Sequence, residues 1–199
     1  LVPKIESGDE IIDIDDAMTA AGFAETASLW VMIETPQAVL NIAEIAAAAS
    51  GTRLSTFVMG LNDLAKETRA KPGTDRAPFW AAMSLAVTAA RAHALTAIDG
   101  VYNDIQNTDG FEQECRQGAG FGFDGKTLIH PSQIDACNLV FAPSPEDVAH
   151  ARDVIAAFAL PENQGKGVIK VNGKMTELLH LAEAERLVGV TEAIEAMAS

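Results

Sequence analysis

Leu29-Trp30-Val31-Met32-Ile33-Glu34-Thr35-Pro36 decides the fold. Five apolar residues run without interruption into a carboxylate, and Thr35-Pro36 follows at once. A run of this kind suits a strand buried on both faces, as in a parallel sheet. Thr35 then reads as an N-cap and Pro36 as the first residue of a helix. Glu34 stands at the carboxyl end of that strand, where α/β enzymes place their chemistry.

Outward from this unit the pattern repeats. Residues 1–7 read as a strand, and residues 9–22 as a helix closed by Gly22. A helix is expected over 36–50, then a strand over 55–60 leading to Leu61-Asn62-Asp63. Residues 64–76 read as a polar loop, 78–93 as a long helix and 96–102 as a fourth strand. A short helix near 111–117 precedes a fifth strand over 126–129, which ends at His130-Pro131. Five such alternations imply a parallel sheet with right-handed crossovers. The period fits either a doubly wound sheet or part of a (β/α)8 barrel. Polar groups at the strand tips (Glu6, Glu34, Asp63, Asp104 and His130) favour the barrel, which gathers all its tips into one site.

The tail differs. Ser144-Pro145-Glu146-Asp147 has the capping-box pattern, and Val148, Ala151, Ile155 and Phe158 make an apolar face behind it. A short strand over 168–171 with a turn at Asn172-Gly173 and a last helix over 177–197 follow. The expected division is therefore 1–142, the C-terminal part of a barrel, and 143–199, a helical extension or lid.

Composition narrows the function. The chain has 199 residues and a net charge of −14, which argues against nucleic acid because phosphate neutralisation needs clustered Lys and Arg. No apolar run approaches the roughly 20 residues of a membrane span, and no secretory signal is visible. Cys115 and Cys137 lie in no metal or redox spacing and read as buried free thiols of a cytoplasmic protein. Gly120-Phe121-Gly122-Phe123-Asp124-Gly125-Lys126-Thr127 formally matches the phosphate-loop pattern. That chemistry needs a strand before the loop and a helix after it, and here the order is reversed. Lys126 is instead expected at the amino end of its strand, in a structural ion pair.

Glu34 and Asp63 follow successive buried strands, and adjacent strands lie about 4.8 Å apart, so the two tip carboxylates could share one hard cation such as Mg²⁺. Equally, Glu34 could pair with Lys4, and Asp63 could cap a short turn at Leu64-Ala65. Spacing leaves both open. Lys66, Arg69, Lys71 and Arg76 could meet anionic phosphates or simply form a solvated loop.

These residues resemble a known family. Pro3-Lys4-Ile5-Glu6-Ser7, Ile33-Glu34-Thr35, Gly60-Leu61-Asn62-Asp63-Leu64-Ala65, Ala97-Ile98-Asp99-Gly100-Val101 and the stretch from Gly122 to Gln133 occur in this order in the HpcH/HpaI aldolase/citrate lyase family. The likeness is greatest to its citrate lyase beta subunit and citramalyl-CoA and malyl-CoA lyase branch. It implies a TIM (β/α)8 barrel of the phosphoenolpyruvate/pyruvate type, with the five strands here being the fourth to eighth. The first three strands, with the family's arginine, are then expected in an upstream segment.

The resemblance further implies a Mg²⁺-dependent carbon–carbon lyase acting by retro-aldol or Claisen-type cleavage. The substrate would be an acyl-CoA or acyl-carrier thioester such as citramalyl-, malyl- or citryl-CoA, and the assembly a homo-oligomer, trimer or hexamer. Glu34 and Asp63 match the metal ligands. Lys4, Glu6, Met59, Gly60, His130 and Pro131 fall at substrate-binding positions. Gly173-Lys174-Met175-Thr176-Glu177 matches the segment whose aspartate donates the proton in a neighbouring subunit's site, with Glu177 in place of that aspartate. Glu177 equally suits a helix first turn. Two other functions fit the same residues: hydrolysis of malyl-CoA, and a non-catalytic assembly subunit.

Overall fold

The structure is a computed structural model that describes residues 1–198. The chain divides into two compact units, Leu1–Phe141 and the residues from Ala142 onward.

The first unit is built on a parallel sheet of β1 (Leu29–Ile33), β2 (Leu54–Met59), β3 (Thr96–Asp99) and β4 (Gly125–Lys126), in that spatial order. Val2 extends the sheet beyond β1 through one parallel bridge to Val31. Strands follow one another across the sheet without reversal. A doubly wound sheet reverses at a switch point, whereas a barrel does not. Between the strands run α1 (Gly8–Ala20), α2 (Pro36–Leu40), α3 (Ile42–Ala47), α4 (Leu61–Thr68), α5 (Trp80–Ala92) and α6 (Thr108–Phe121), and α7 (Ile134–Phe141) follows β4. Val31, Ile33, Phe57 and Met59 on the strands pack with Ile45, Met83 and Ala86 on the helices in one core. Thr35 caps α2 as its sequence implies, accepting the Ala38 N–H at 3.0 Å.

Four expectations need correction. The helix expected over 36–50 breaks at Asn41, whose side chain donates instead to the Glu6 carbonyl at 2.7 Å. The loop expected over 64–76 begins as helix α4, directly after Gly60. The fifth strand is only Gly125–Lys126. Beyond it, Thr127 donates its hydroxyl to the Asp99 carbonyl at 2.7 Å, and the Ile129 N–H is taken by Gln133 at 3.0 Å. Pairing of Lys126 with Asp99, and of Ile98 with Val58, sets Lys126 level with Met59 and Ile33. Lys126 therefore lies at the carboxyl end of the sheet, not the amino end. The ion pair expected for it is present, to Asp99 and Glu114.

The second unit holds α8 (Pro145–Ala159), a hairpin of β5 (Val168–Val171) and β6 (Lys174–Glu177), and α9 (Leu178–Ala198). Ser144 caps α8 by accepting the Asp147 N–H at 3.1 Å. Ala151, Val154, Phe158, Ile169, Val171 and Ala184 form its small core. Cys115 and Cys137 are free and buried. Among the described residues, no helix is long and apolar enough to cross a membrane.

Candidate metal centre

Parallel pairing of Ile33 with Met59 brings the carboxyl ends of β1 and β2 side by side, so Glu34 and Gly60 are the next residue on each. Glu34 is buried, only 3% exposed. A Cβ on Gly60 would lie 2.4 Å from the Glu34 Cβ and 2.5 Å from its Oε2. Only glycine leaves room for this carboxylate. Its Oε1 accepts the backbone N–H of Lys4 at 2.9 Å. Lys4 adopts a left-handed backbone, with φ of 55°, and its ammonium reaches Asp63 Oδ1 at 2.7 Å and Glu67 Oε1 at 3.5 Å.

Asp63 lies in the first turn of α4, where the helix dipole favours a carboxylate. Lys4 thus ties the pair together: its main chain holds Glu34 and its side chain holds Asp63. The sequence suggested an ion pair between Lys4 and Glu34, but the ammonium goes to Asp63. The hydrogen bond from Lys4 holds the Asp63 carboxyl below its usual range, and that same bond raises the Lys4 ammonium above its own. Both side chains are about half exposed, so water screens the interaction.

This donor set suits a hard cation. Among the described residues, no group of three or more His, Cys, Asp or Glu gathers to hold a metal. Catalytic Zn²⁺ takes three protein ligands, whereas Mg²⁺ is commonly held by one or two carboxylates plus water and substrate oxygens. The Lys4 ammonium bonds Asp63 Oδ1 at 2.7 Å, so a metal at Asp63 would have to share or displace it.

Gly60→Ala tests this packing. The added methyl must displace Glu34, and overpacking of this kind costs about 1–3 kcal/mol. Mg²⁺ affinity is expected to fall at least tenfold, roughly the effect of disturbing the groups that orient a metal ligand, while the melting transition stays cooperative. Titration calorimetry beside thermal unfolding checks both.

The remaining candidates are placed differently. Met59 is buried at 1% in the core, where its side chain packs. Glu6 is held through its main chain, its N–H donating to Glu10 and its carbonyl accepting Asn41. His130 Nδ1 turns back to Ser132, accepting its N–H at 3.2 Å, and Pro131 opens the short 3-10 turn that this caps. Asp104 lines a cleft beside Asn62. Glu177 ends β6 in the second unit, with an exposed side chain and its N–H donated to His180 Nδ1 at 2.9 Å.

Arg76 is not available to phosphate. It is 4% exposed and bonds Asp99 through both carboxylate oxygens, at 2.8 and 2.9 Å. Lys66, Arg69 and Lys71 remain exposed. The buried cluster of Arg76, Asp99, Glu114 and Lys126 was missed in the sequence. Its signals were the ion pair expected for Lys126 and a charged residue, Asp99, at the end of a mostly apolar strand.

The sequence pattern of the HpcH/HpaI aldolase/citrate lyase family matches residues 1–131. The chain belongs to this family. Among its relatives, a (3S)-malyl-CoA thioesterase of Cereibacter sphaeroides is 45% identical over 196 residues. That match takes in 98% of the chain and 66% of the thioesterase, so the chain spans just under two thirds of that relative's length. Citrate lyase subunit beta of Haemophilus influenzae is 34% identical over 181 residues, 88% of the chain and 62% of that protein. Among solved structures, CitE from Mycobacterium tuberculosis, in complex with magnesium, acetoacetate and coenzyme A, aligns with a TM-score of 0.72 at 28% identity. That alignment covers 94% of this chain and 66% of CitE. Family and structural likeness together imply a TIM-barrel-like α/β fold.

These likenesses overturn the expectation of a carbon–carbon lyase. Four thioesterases of the same name share 43–45% identity with the chain, well above the citrate lyase subunit. Glu34 and Asp63 do not by themselves separate the two activities.

Proposed function

We propose that the whole protein hydrolyses (3S)-malyl-CoA, or a very similar hydroxyacyl-CoA thioester, to the free acid and coenzyme A. The observation that carries this reading is the 43–45% identity with four (3S)-malyl-CoA thioesterases across 98% of the chain. The parallel sheet is then the later part of an eight-stranded barrel over 1–142, strands four to eight, with a helical extension over 143–199. The protein is a cytoplasmic homo-oligomer.

Glu34 and Asp63 hold Mg²⁺ in this reading, as the all-oxygen pair at the sheet's carboxyl end supports. When bound, the ion would supply a Lewis acid to oxygens of the substrate. Lys4 and Gly60 fix Glu34 before substrate arrives, so little ordering is left for the reaction. Glu177, presented to a neighbouring subunit's site, takes a proton from the attacking water. Oxygen adds to the thioester carbonyl, the carbon–sulfur bond breaks, and the proton returns to the leaving thiolate. Exposed Lys66, Arg69 and Lys71 meet the coenzyme's phosphates.

The test is product analysis with (3S)-malyl-CoA and Mg²⁺. One free thiol should appear per malate formed, without glyoxylate. Glyoxylate and acetyl-CoA as the products would sink the proposal.

A further inference from the structure

Arg76 lines a cleft of about 410 Å³ at the carboxyl ends of β2 and β3, together with Asn62, Pro72, Thr74, Tyr102 and Glu114. Asn62 is the residue before Asp63 on α4. An arginine lining such a cleft invites assignment as an anion ligand. Its bonding argues otherwise. The guanidinium gives both Nη1 hydrogen bonds to Asp99, Nε to Gln117 at 2.7 Å and Nη2 to the Glu114 carbonyl at 3.4 Å.

Asp99 is itself fully buried and shared. It accepts from Lys126 at 3.1 Å and from the Gly100 N–H at 2.7 Å. Lys126 also meets Glu114 at 2.6 Å. Two cations and two carboxylates therefore neutralise one another away from water, which leaves no spare positive charge for a ligand. A Cβ on Gly118 would stand 2.6 Å from Asp99 Oδ2, so α6 approaches this cluster as closely as a glycine permits.

The backbone shows what the cluster holds. Arg76 has a φ of 56°, the left-handed region that side chains rarely adopt. Arg69, at the end of α4, has a φ of 57°. The segment between them, which includes Pro72, Gly73 and Thr74, forms one wall of the cleft. Gln117 closes the clamp, donating to the Asp75 carbonyl at 2.6 Å while accepting from Arg76. An unfavourable φ persists only where surrounding bonds over-determine it.

We infer that Arg76, anchored on Asp99, is a positioning residue that fixes the 70–75 segment as the cleft wall and binds no substrate itself. Its kinetic consequence rests on the thioesterase reading; its structural consequence does not. Arg76→Lys keeps the charge but loses the paired bonds to Asp99 and the bond to Gln117. In the full chain, tryptic cleavage after Arg69 should then speed up about tenfold, as a segment released to open locally becomes accessible. KM for (3S)-malyl-CoA should rise about tenfold with kcat within roughly twofold, because the wall positions substrate rather than reacting.

The charge-balanced pair Asp99→Asn with Lys126→Met should do the same, and it serves if the first variant fails to fold. Arg91→Lys, at the separate Arg91–Asp124 pair, should change neither readout. Unchanged cleavage in both cleft variants overturns the inference. So does a collapse of kcat at constant KM, which would place Arg76 in the chemistry. A wild-type protein inert towards malyl-CoA would defeat the thioesterase reading alone, since the cleavage comparison still stands.

Discussion

Asp63→Asn should sharply lower turnover at limiting Mg²⁺ while the fold survives. The substitution keeps the size of the side chain and removes one of the two carboxylates proposed to hold the ion. The loss of Mg²⁺ affinity should exceed the roughly 10–100-fold that follows from losing an outer partner, because Asp63 is proposed as a direct ligand. Turnover should fall with it. Stability should change little: Asp63 is half exposed and contributes no core contact, and its partner Lys4 is equally solvated. Calorimetric titration with Mg²⁺, thermal unfolding and malyl-CoA hydrolysis on one preparation test all three. Activity retained by Asp63→Asn at low Mg²⁺ removes Asp63 from the metal site.

Glu177→Gln should lower kcat about 10²–10⁴-fold, the usual contribution of a positioned acid or base, with Mg²⁺ affinity unchanged. The residue ends an exposed strand edge and its side chain is free in water, so removing its charge costs the second unit little. If Glu177 serves an adjacent subunit, the protein is a closed homo-oligomer whose sites need two chains. Mixing Glu177→Gln with Asp63→Asn protein should then partly restore activity, because some mixed sites pair an intact metal pair with an intact Glu177. No recovery despite demonstrated subunit exchange would show that the site is not shared. Full activity in Glu177→Gln would leave the residue as a charge at a helix start, and its N–H bond to His180 as ordinary capping.

The two variants also separate the roles within the site. Asp63→Asn should act through metal binding, so added Mg²⁺ recovers part of its turnover. Glu177→Gln should not respond to added Mg²⁺. The comparison needs no substrate other than the thioester.

By itself the sequence determined the local elements that signal within a few residues. The apolar run before Glu34, the Thr35 cap, the Ser144 capping box and the strand and turn ending at Asn172-Gly173 all stand where those signals put them. Each depends on neighbours in the chain, so local propensity and hydrogen bonding suffice. Family membership was legible for the same reason, as an ordered series of short motifs. Tertiary structure alone decided what those motifs do together. Lys4 meets Asp63 across 59 residues, and Arg76 meets Asp99 across 23. Such contacts are set by strand order and register, to which the hydrophobic pattern of a single segment is blind. Register is also why Lys126 came to the carboxyl end of the sheet. Two residues of β4 pair with Ile98 and Asp99, and a buried ammonium could be stable only where Asp99 and Glu114 already faced it.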